Sequence, residues 1–549
     1  MAFESDGGAP HAYLNADARG GTVGGKESYT IAEAANQIIR GEPGWSAALG
    51  MPATVTYAFR ANAPTTMPDD TSGFSRFNSA QIAQAELALA GWSDVAKITF
   101  VRVGTGSFGE AAYSDQATIL LGNYSAGNDD ATAFAYFPGS TAASSRAGDL
   151  WVNITLGTNS APAIGNYGAM VLVHEIGHAI GLDHPADYDA DGSPTYAADA
   201  IYYEDSRQYT VMSYFSENNT GAYFGGRYAA APLLDDIAAA QREYGANMAT
   251  RTGDDTYGFN SNAGRPWFEA SSSASKLIFA VWDAGGVDTF DFSGFFNAQL
   301  IDLRAGFFSD VGGLTGNVAV AAGVAIENAI GGSGADTING NDGANTLTGG
   351  VGDDDLYGGA GNDSLVGGDG QDFLRGEAGN DYIVGGAAFD DIHGNMGEDT
   401  EYGGEGDDWV VGGQNNDLLY GENGADIMYG NMGDDTMYGG AGADLMRGGQ
   451  HNDIMHGDDG ADWMSGDRGD DTIWGGAGGD TFYAFADSGL DRIMDFNRAE
   501  GDRVQIGEGA TYSFSQSGAD VVVSVSGGAQ VVLVGVSLTT LTDGWIYAG

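Results

Sequence analysis

Gly358-Gly359-Ala360-Gly361-Asn362-Asp363-Ser364-Leu365-Val366 is one nine-residue unit of a run that starts at Gly331 and recurs without slip to a last unit at Gly475, seventeen in all. Position six is Asp in sixteen units and Asn only at Asn345; position eight is apolar except at Glu401. A glycine-rich linker does not hold such a register, so the run reads as a solenoid built of turns and short strands. The six-residue turn uses glycine for positive φ and close approach, leaving carbonyls and the Asp carboxylate facing a cation. An all-oxygen donor set of this kind suits calcium. The next three residues form a strand whose eighth side chain enters the core. Two units make one coil, so turns on one side recur every eighteen residues, leaving roughly fifteen inter-turn calcium slots.

The expected calcium ligands in this array are Gly332, Gly334 and Asp336, then Asp354, Asp363, Asp372, Asp381, Asp390, Asp399, Asp408, Asp417, Asp426, Asp435, Asp444, Asp453, Asp462, Asp471 and Asp480. Along one side, position nine runs Thr348, Val366, Val384, Tyr402, Tyr420, Tyr438, His456, Trp474. This exposed aromatic ladder has two readings, cross-coil stacking that stabilises the roll or a docking face for a surface molecule or a second copy. Val521 to Val536 reads as terminal strands.

The chain has 549 residues, with 76 acidic against 21 basic side chains and a formal charge of −55. Such a surface repels nucleic acid and anionic lipid and favours bound cations. Without calcium the repeats carry high charge and little core and should be disordered, so metal binding becomes folding energy. No cysteine is present, which excludes disulfides, thiolate zinc sites and a cysteine latency switch. Residues 1–25 are polar and glycine-rich, read as a flexible leader without the apolar core of an ordinary signal peptide. No apolar run is long enough to span a membrane.

Upstream of the repeats, Ile31–Arg40 reads as a short amphipathic helix and Ser79–Trp92 as a longer one. Strands are expected at 54–60, 97–103, 117–121, 133–137 and 150–154, giving a small α/β domain with its cleft at a sheet edge. The chemistry concentrates in His174-Glu175-Ile176-Gly177-His178-Ala179-Ile180-Gly181-Leu182-Asp183-His184, which holds three of seven histidines. On a helix His174 and His178 share one face, and Gly181 at positive φ ends it so that His184 can return as a third ligand. Three neutral imidazoles leave a tetrahedral zinc one open position for water, as in a catalytic site. The apolar flanks Ala169–Val173 and Ala179–Ile180 argue against a solvated surface helix.

This motif resembles that of the metzincins. Resemblance to one metzincin family, the serralysins, extends through Asp205–Tyr209, Val211–Tyr214, Ala231–Ala239, Thr252–Phe259 and Trp282–Phe290. It implies a multidomain chain, an α/β metzincin protease domain followed by an all-β parallel β-roll of RTX repeats with a terminal β capping segment. The implied activity is zinc endopeptidase on protein or peptide substrates. His174, His178, His184 and Tyr214 would ligate one catalytic zinc; Glu175 would be the general base, Tyr214 would leave zinc to bind the oxyanion, and Met212 would floor the site. Substrate would add as a β-strand near Ala133, Phe134, Ala135 and Tyr136. A first calcium site would use Arg251, Gly253, Asp255, Asp283, Gly285 and Asp288, and its neighbour Gly286, Asp288, Ala325 and Glu327; positions 255 and 325 depart in residue type, and their implied role is through backbone carbonyls.

The implied organisation is a leader or pro-segment at 1–40, a protease domain at 41–248 and a linker into the calcium-binding β domain at 249–330. The roll follows at 331–483, and a cap with a type I secretion signal at 484–549. Asp495-Phe496 and Gly501–Ile506 resemble a roll cap. Expected partners are the type I secretion apparatus and, from the aromatic ladder, a cell-surface or surface-layer molecule, with no nucleic acid and no membrane span. Seventeen repeats exceed the usual serralysin number, so the alternative reading is a calcium-dependent cell-surface structural or adhesive protein, or a protease dedicated to a surface-layer partner. Latency, without cysteine, would need another ligand, for which His11 is a candidate.

Overall fold

The computed structural model describes residues 13–41, 44–68, 71–127, 131–139, 147–188 and 193–549; His11 lies outside them. The chain forms two compact units, Met1–Asp291 with Arg304–Ile326, and Phe292–Leu303 with Glu327–Gly549.

In the first unit, β1 (Ala53–Phe59), β2 (Ile98–Arg102), β3 (Ile119–Tyr124), β4 (Ala133–Ala135) and β5 (Leu150–Asn153) form one sheet in the order β2-β1-β3-β5-β4. All neighbours are parallel except β4, which pairs antiparallel with β5 and forms an edge. Against the sheet lies α2 (Ser79–Val95), begun by a capping box in which Asn78 and Gln81 each accept the other's backbone N–H at 3.0 Å. Its buried stripe includes Ile82, Ala85, Leu89 and Trp92. The metal-motif helix α3 (Tyr167–Ala179) is capped by Asn166 and buried from Gly168 to its end, because its apolar positions surround it and do not form a single stripe. Gly181 adopts φ +98°, and the Leu182 N–H returns to the Gly177 carbonyl at 2.9 Å, stopping the helix and turning the chain toward His184. α1 (Ile31–Ile38) packs on α4 (Leu234–Tyr244).

The expectation of a flexible leader through Gly25 gives way from Tyr13 onward. Tyr13 is buried and donates to Asp310 at 2.8 Å. Arg19 makes a bidentate pair with Asp235, at 2.8 and 2.9 Å, and its guanidinium lies over the Tyr209 ring. Both side chains of that pair are fully buried, so the stretch is fixed by charge pairing in the core, which its polar composition conceals. Arg19→Ala should destabilise this unit by about 3–5 kcal/mol, because the Asp235 charge is left buried and unpaired. Calorimetry of the calcium-loaded chain would read this as a lowered first transition; an unchanged transition would show that the segment is not part of the folded unit.

The second unit is a parallel solenoid. Strands pair with those eighteen residues on, as in Leu347↔Leu365 and Leu356↔Leu374, in the register expected from sequence. Position eight is fully buried at Leu347, Leu356, Leu365 and onward to Met464. From Thr346 to Arg468 the strands are six or seven residues long, as in Thr346–Val351 and Asp355–Ala360, where the repeat suggests three. The ladder runs on into the next turn, pairing Gly350 with Gly368, since glycine backbone pairs without a side chain to signal it.

The position-nine ladder is half-buried instead of exposed. Tyr402, Tyr420, Tyr438, His456 and Trp474 stack successively at 4.5–5.0 Å with ring planes within 8°, a stabilising cross-coil stack. Asp495 and Asp502 accept the Gly475, Gly476 and Asp480 amides at the end of the roll. Asp520–Val525 pairs antiparallel with both Tyr512–Ser517 and Gln530–Leu533.

Candidate metal centre

The helix α3 and the turn after it bring three imidazoles together. The Nε2 atoms of His174, His178 and His184 lie 3.0–3.3 Å apart. His174 Nδ1 lies 2.7 Å from the Val211 carbonyl, and His178 Nδ1 2.7 Å from that of Leu182. Those carbonyls can only accept, so each Nδ1 carries the proton and each Nε2 a lone pair. Lone pairs crowded at one point repel one another unless a cation lies between them, so the donor set fits a metal ion. Burial pushes His174 down to about 3 and His178 to about 4, and lowers His184 well below the usual imidazole range. All three are therefore neutral at physiological pH, as ligation requires.

Glu175 is also buried, and its Oε2 has no hydrogen-bond partner. Burial raises its carboxyl to about 8 in the metal-free chain, and a cation held by the neighbouring histidines would draw it back toward the ionised form that a general base needs. Met212 is fully buried beneath α3, and a Cβ on Gly177 would meet its sulfur at 2.5 Å. Only glycine between the two helical histidines lets this floor approach. The half-exposed Tyr214 ring lies 4.5 Å from that of His184 and 5.9 Å from that of His174. Ala133, Phe134 and Ala135 form β4, and Tyr136 follows at the same edge. Phe137 meets the His178 ring edge-on at 5.3 Å, placing this edge beside the histidines.

Several supporting residues have no local signature in the sequence. Asp236 is fully buried and accepts from the Val211 amide at 2.8 Å, the Thr210 hydroxyl at 2.5 Å and the Leu233 amide at 2.8 Å. It thereby fixes the carbonyl that orients His174. Arg40 donates to the His184 carbonyl and pairs with Asp187 at 2.6 Å. Tyr188 stacks on His184 at 5.4 Å and donates to Asp205 at 2.9 Å, and the Ser213 hydroxyl donates to the same carboxylate at 2.7 Å. Two adjacent acids in the first turn of α4, Asp235 and Asp236, were the available hint.

In the same unit, carboxylate oxygens of Asp255, Asp283 and Asp288 lie within 4.8 Å of one another. Asp255 contributes its side chain to this cluster, where the resemblance implies only its backbone carbonyl. Gly286 passes so close to the Gly253 carbonyl that a Cβ would sit 2.1 Å from it. Arg251, at φ +47°, donates to the Trp282 carbonyl, and Gly285 donates to Asp283 at 2.9 Å. Ala325 belongs to this unit and Glu327 to the other.

In the roll, all the position-six acids from Asp354 to Asp480 leave Oδ2 without a hydrogen bond. Their Oδ1 atoms accept the amide of the residue eighteen before, as Asp381 does from Asp363 and Asp399 from Asp381, both at 2.8 Å. Such a column of half-satisfied buried carboxylates fits a hard cation. Asp336 differs, since the Gly332 amide donates to its Oδ2 at 2.6 Å; Gly334 packs against Asn297. Asn345, the neutral exception, fills its place with hydrogen bonds from Asn341 and to the Glu327 carbonyl at 2.8 and 3.0 Å.

Two family models match the chain, one described as Peptidase M10 serralysin C terminal over residues 246–533 and one as Matrixin over residues 52–207. Serralysin C and serralysin A of Dickeya chrysanthemi are each 52% identical over 320 residues, 58% of this chain and 65% of the relative. Metalloprotease AprA of Pseudomonas entomophila is 50% identical over 332 residues, 59% of this chain and 66% of that one. The matched stretch thus spans just under two thirds of these relatives.

Proposed function

Because this chain belongs to the serralysin family of M10 peptidases, we propose that it is a secreted zinc endopeptidase whose RTX roll folds on binding calcium. The observation that carries the reading is the convergence of three histidine Nε2 atoms, two of them on imidazoles held Nδ1-protonated by backbone carbonyls, next to Glu175. His174, His178 and His184 would hold the zinc, with Tyr214 as a further ligand at rest. The ion supplies Lewis acidity, which acidifies water and polarises a peptide carbonyl.

The remaining steps belong to the chain's own groups. The free edge of β4 accepts the substrate as an added strand, using backbone hydrogen bonds that tolerate many sequences. Glu175 takes the proton of the attacking water and returns it to the leaving amine nitrogen. The Tyr214 hydroxyl donates to the oxyanion as it forms. Val211 and Leu182, through their carbonyls, keep the two helical imidazoles oriented throughout. Tyr214→Phe should lower kcat by on the order of 10²-fold, as loss of one oxyanion donor does, with zinc content unchanged; equal turnover by this variant would remove Tyr214 from the mechanism.

In the repeats, Asp354 to Asp480 would ligate calcium between successive turns, and Asp255, Asp283 and Asp288 would form a separate site. Calcium-dependent folding fits type I export, the chain leaving a low-calcium cytoplasm unfolded and acquiring its roll outside, with the export signal in residues 484–549. Among the described residues no helix is long and apolar enough to cross a membrane. Digestion of casein and gelatin by the purified chain in calcium and zinc tests the activity. Broad cleavage is expected; if both substrates stay intact, a surface structural protein becomes the better account.

A further inference from the structure

Position eight of the repeat is the core position, and at Glu401 a carboxylate occupies it. Its neighbours above and below in the same sheet are Ile383 and Leu419, both apolar and fully buried. Glu401 is itself 0% exposed; the Gly394 amide is the one donor that faces it, Oε2 has no partner, and no side chain donates to either oxygen. An ionised carboxylate so placed is strongly disfavoured unless something compensates its charge.

The side chain is aimed at the turn. A Cβ added to Gly394 would meet Asp399 Oδ2 at 2.2 Å and Glu401 Oε1 at 2.6 Å. Two carboxylate oxygens therefore share the small space above the first glycine of that turn. At Gly376, Gly412 and Gly430, the equivalent glycines of the same column, the nearest carboxylate is that of Asp381, Asp417 and Asp435 respectively, and position eight of those units is the apolar Ile383, Leu419 and Met437. Asp399 Oδ2 and Asp417 Oδ2 are also without hydrogen bonds. The charges nearest Glu401 are these two acids, which oppose its ionisation, while Arg375 is engaged by Asp391 at 3.0 Å.

We propose that Glu401 is an additional calcium ligand, giving the slot at Asp399 one carboxylate more than the slots flanking it and making it a tight site within the array. This rests on the reading of the repeats as calcium sites. A hard cation would neutralise the two facing acids together, and affinity rises with the number of ligating charges. An apolar residue at position 401 would fit the core equally well, so the acid contributes something that packing does not require.

The test is calcium titration of the full-length, chelator-stripped chain, followed by calorimetry and far-UV circular dichroism, for wild type, Glu401→Gln and Glu401→Leu. Glutamine keeps size and polarity but not the charge. Wild type should show a tight binding step that both variants lose, with the calcium concentration for that step raised on the order of tenfold. If Glu401 is instead a neutral acid, the glutamine variant titrates like wild type, and leucine tightens calcium-dependent folding; either result overturns the proposal. Should glutamine fail to fold, leucine, the residue type of neighbouring repeats, gives the same comparison. No calcium uptake by wild type would overturn the calcium reading of the repeats and this proposal with it.

Discussion

Glu175→Ala is expected to bind zinc as wild type does and to cleave casein more slowly by roughly 10²–10⁴-fold, the usual contribution of a positioned proton-transfer group. The three Nε2 atoms that converge belong to histidines, so removing Glu175 deletes no member of that set. What it deletes is a buried carboxyl beside the site, whose Oε2 is unsatisfied and whose pKa burial raises to about 8. Removing a carboxyl with no hydrogen-bond partner on Oε2 should also spare the fold. Metal analysis and a casein assay on the same preparation check both halves. Zinc retained with full activity would exclude Glu175 as the base; zinc lost would make it a structural residue.

The second large effect is expected on stripping calcium. Fifteen position-six carboxylates of the roll present an unsatisfied Oδ2, within a chain whose formal charge is −55. Without cations this charge repels itself, and the roll should unfold in excess chelator and refold when calcium returns, followed by far-UV circular dichroism. The pH dependence of the calcium-free chain has a definite sign. Burial raises Asp354, Asp363 and Asp399 to about 7, and Asp390, Asp417 and Asp453 to about 8. The folded calcium-free roll thus binds more protons than the unfolded chain, whose carboxyls titrate near 4. Its stability is fully present below about pH 4 and is lost as pH rises toward 8. Mild acid should partly replace calcium; a roll that stays folded at pH 8 in chelator would refute the folding account.

The local geometry of the histidines was legible because a helix converts the spacing of His174 and His178 into one face, and Gly181 has the positive φ that the return of His184 needs. The solenoid register was equally plain, since nine-residue periodicity maps directly onto the Leu347↔Leu365 pairing. Support from distant segments was not legible. Arg19 and Asp235 stand far apart in the chain, and nothing near either announces the other; the same holds for Arg40 and the His184 carbonyl. Strand length escaped for a different reason, because Gly350 carries ladder pairing without a strand-like side chain. At Asp255 the carboxylate joins the acidic cluster, a side-chain placement on which the implied backbone-carbonyl role is silent.

The central claim is that the histidine cluster carries a catalytic zinc, and reconstitution tests it most directly. The full chain would be stripped of zinc with its calcium maintained, assayed on casein, then titrated with zinc. The account predicts that cleavage disappears on stripping and returns in proportion to zinc, saturating at one ion per chain. Casein cleavage that persists undiminished in the zinc-free chain would contradict it.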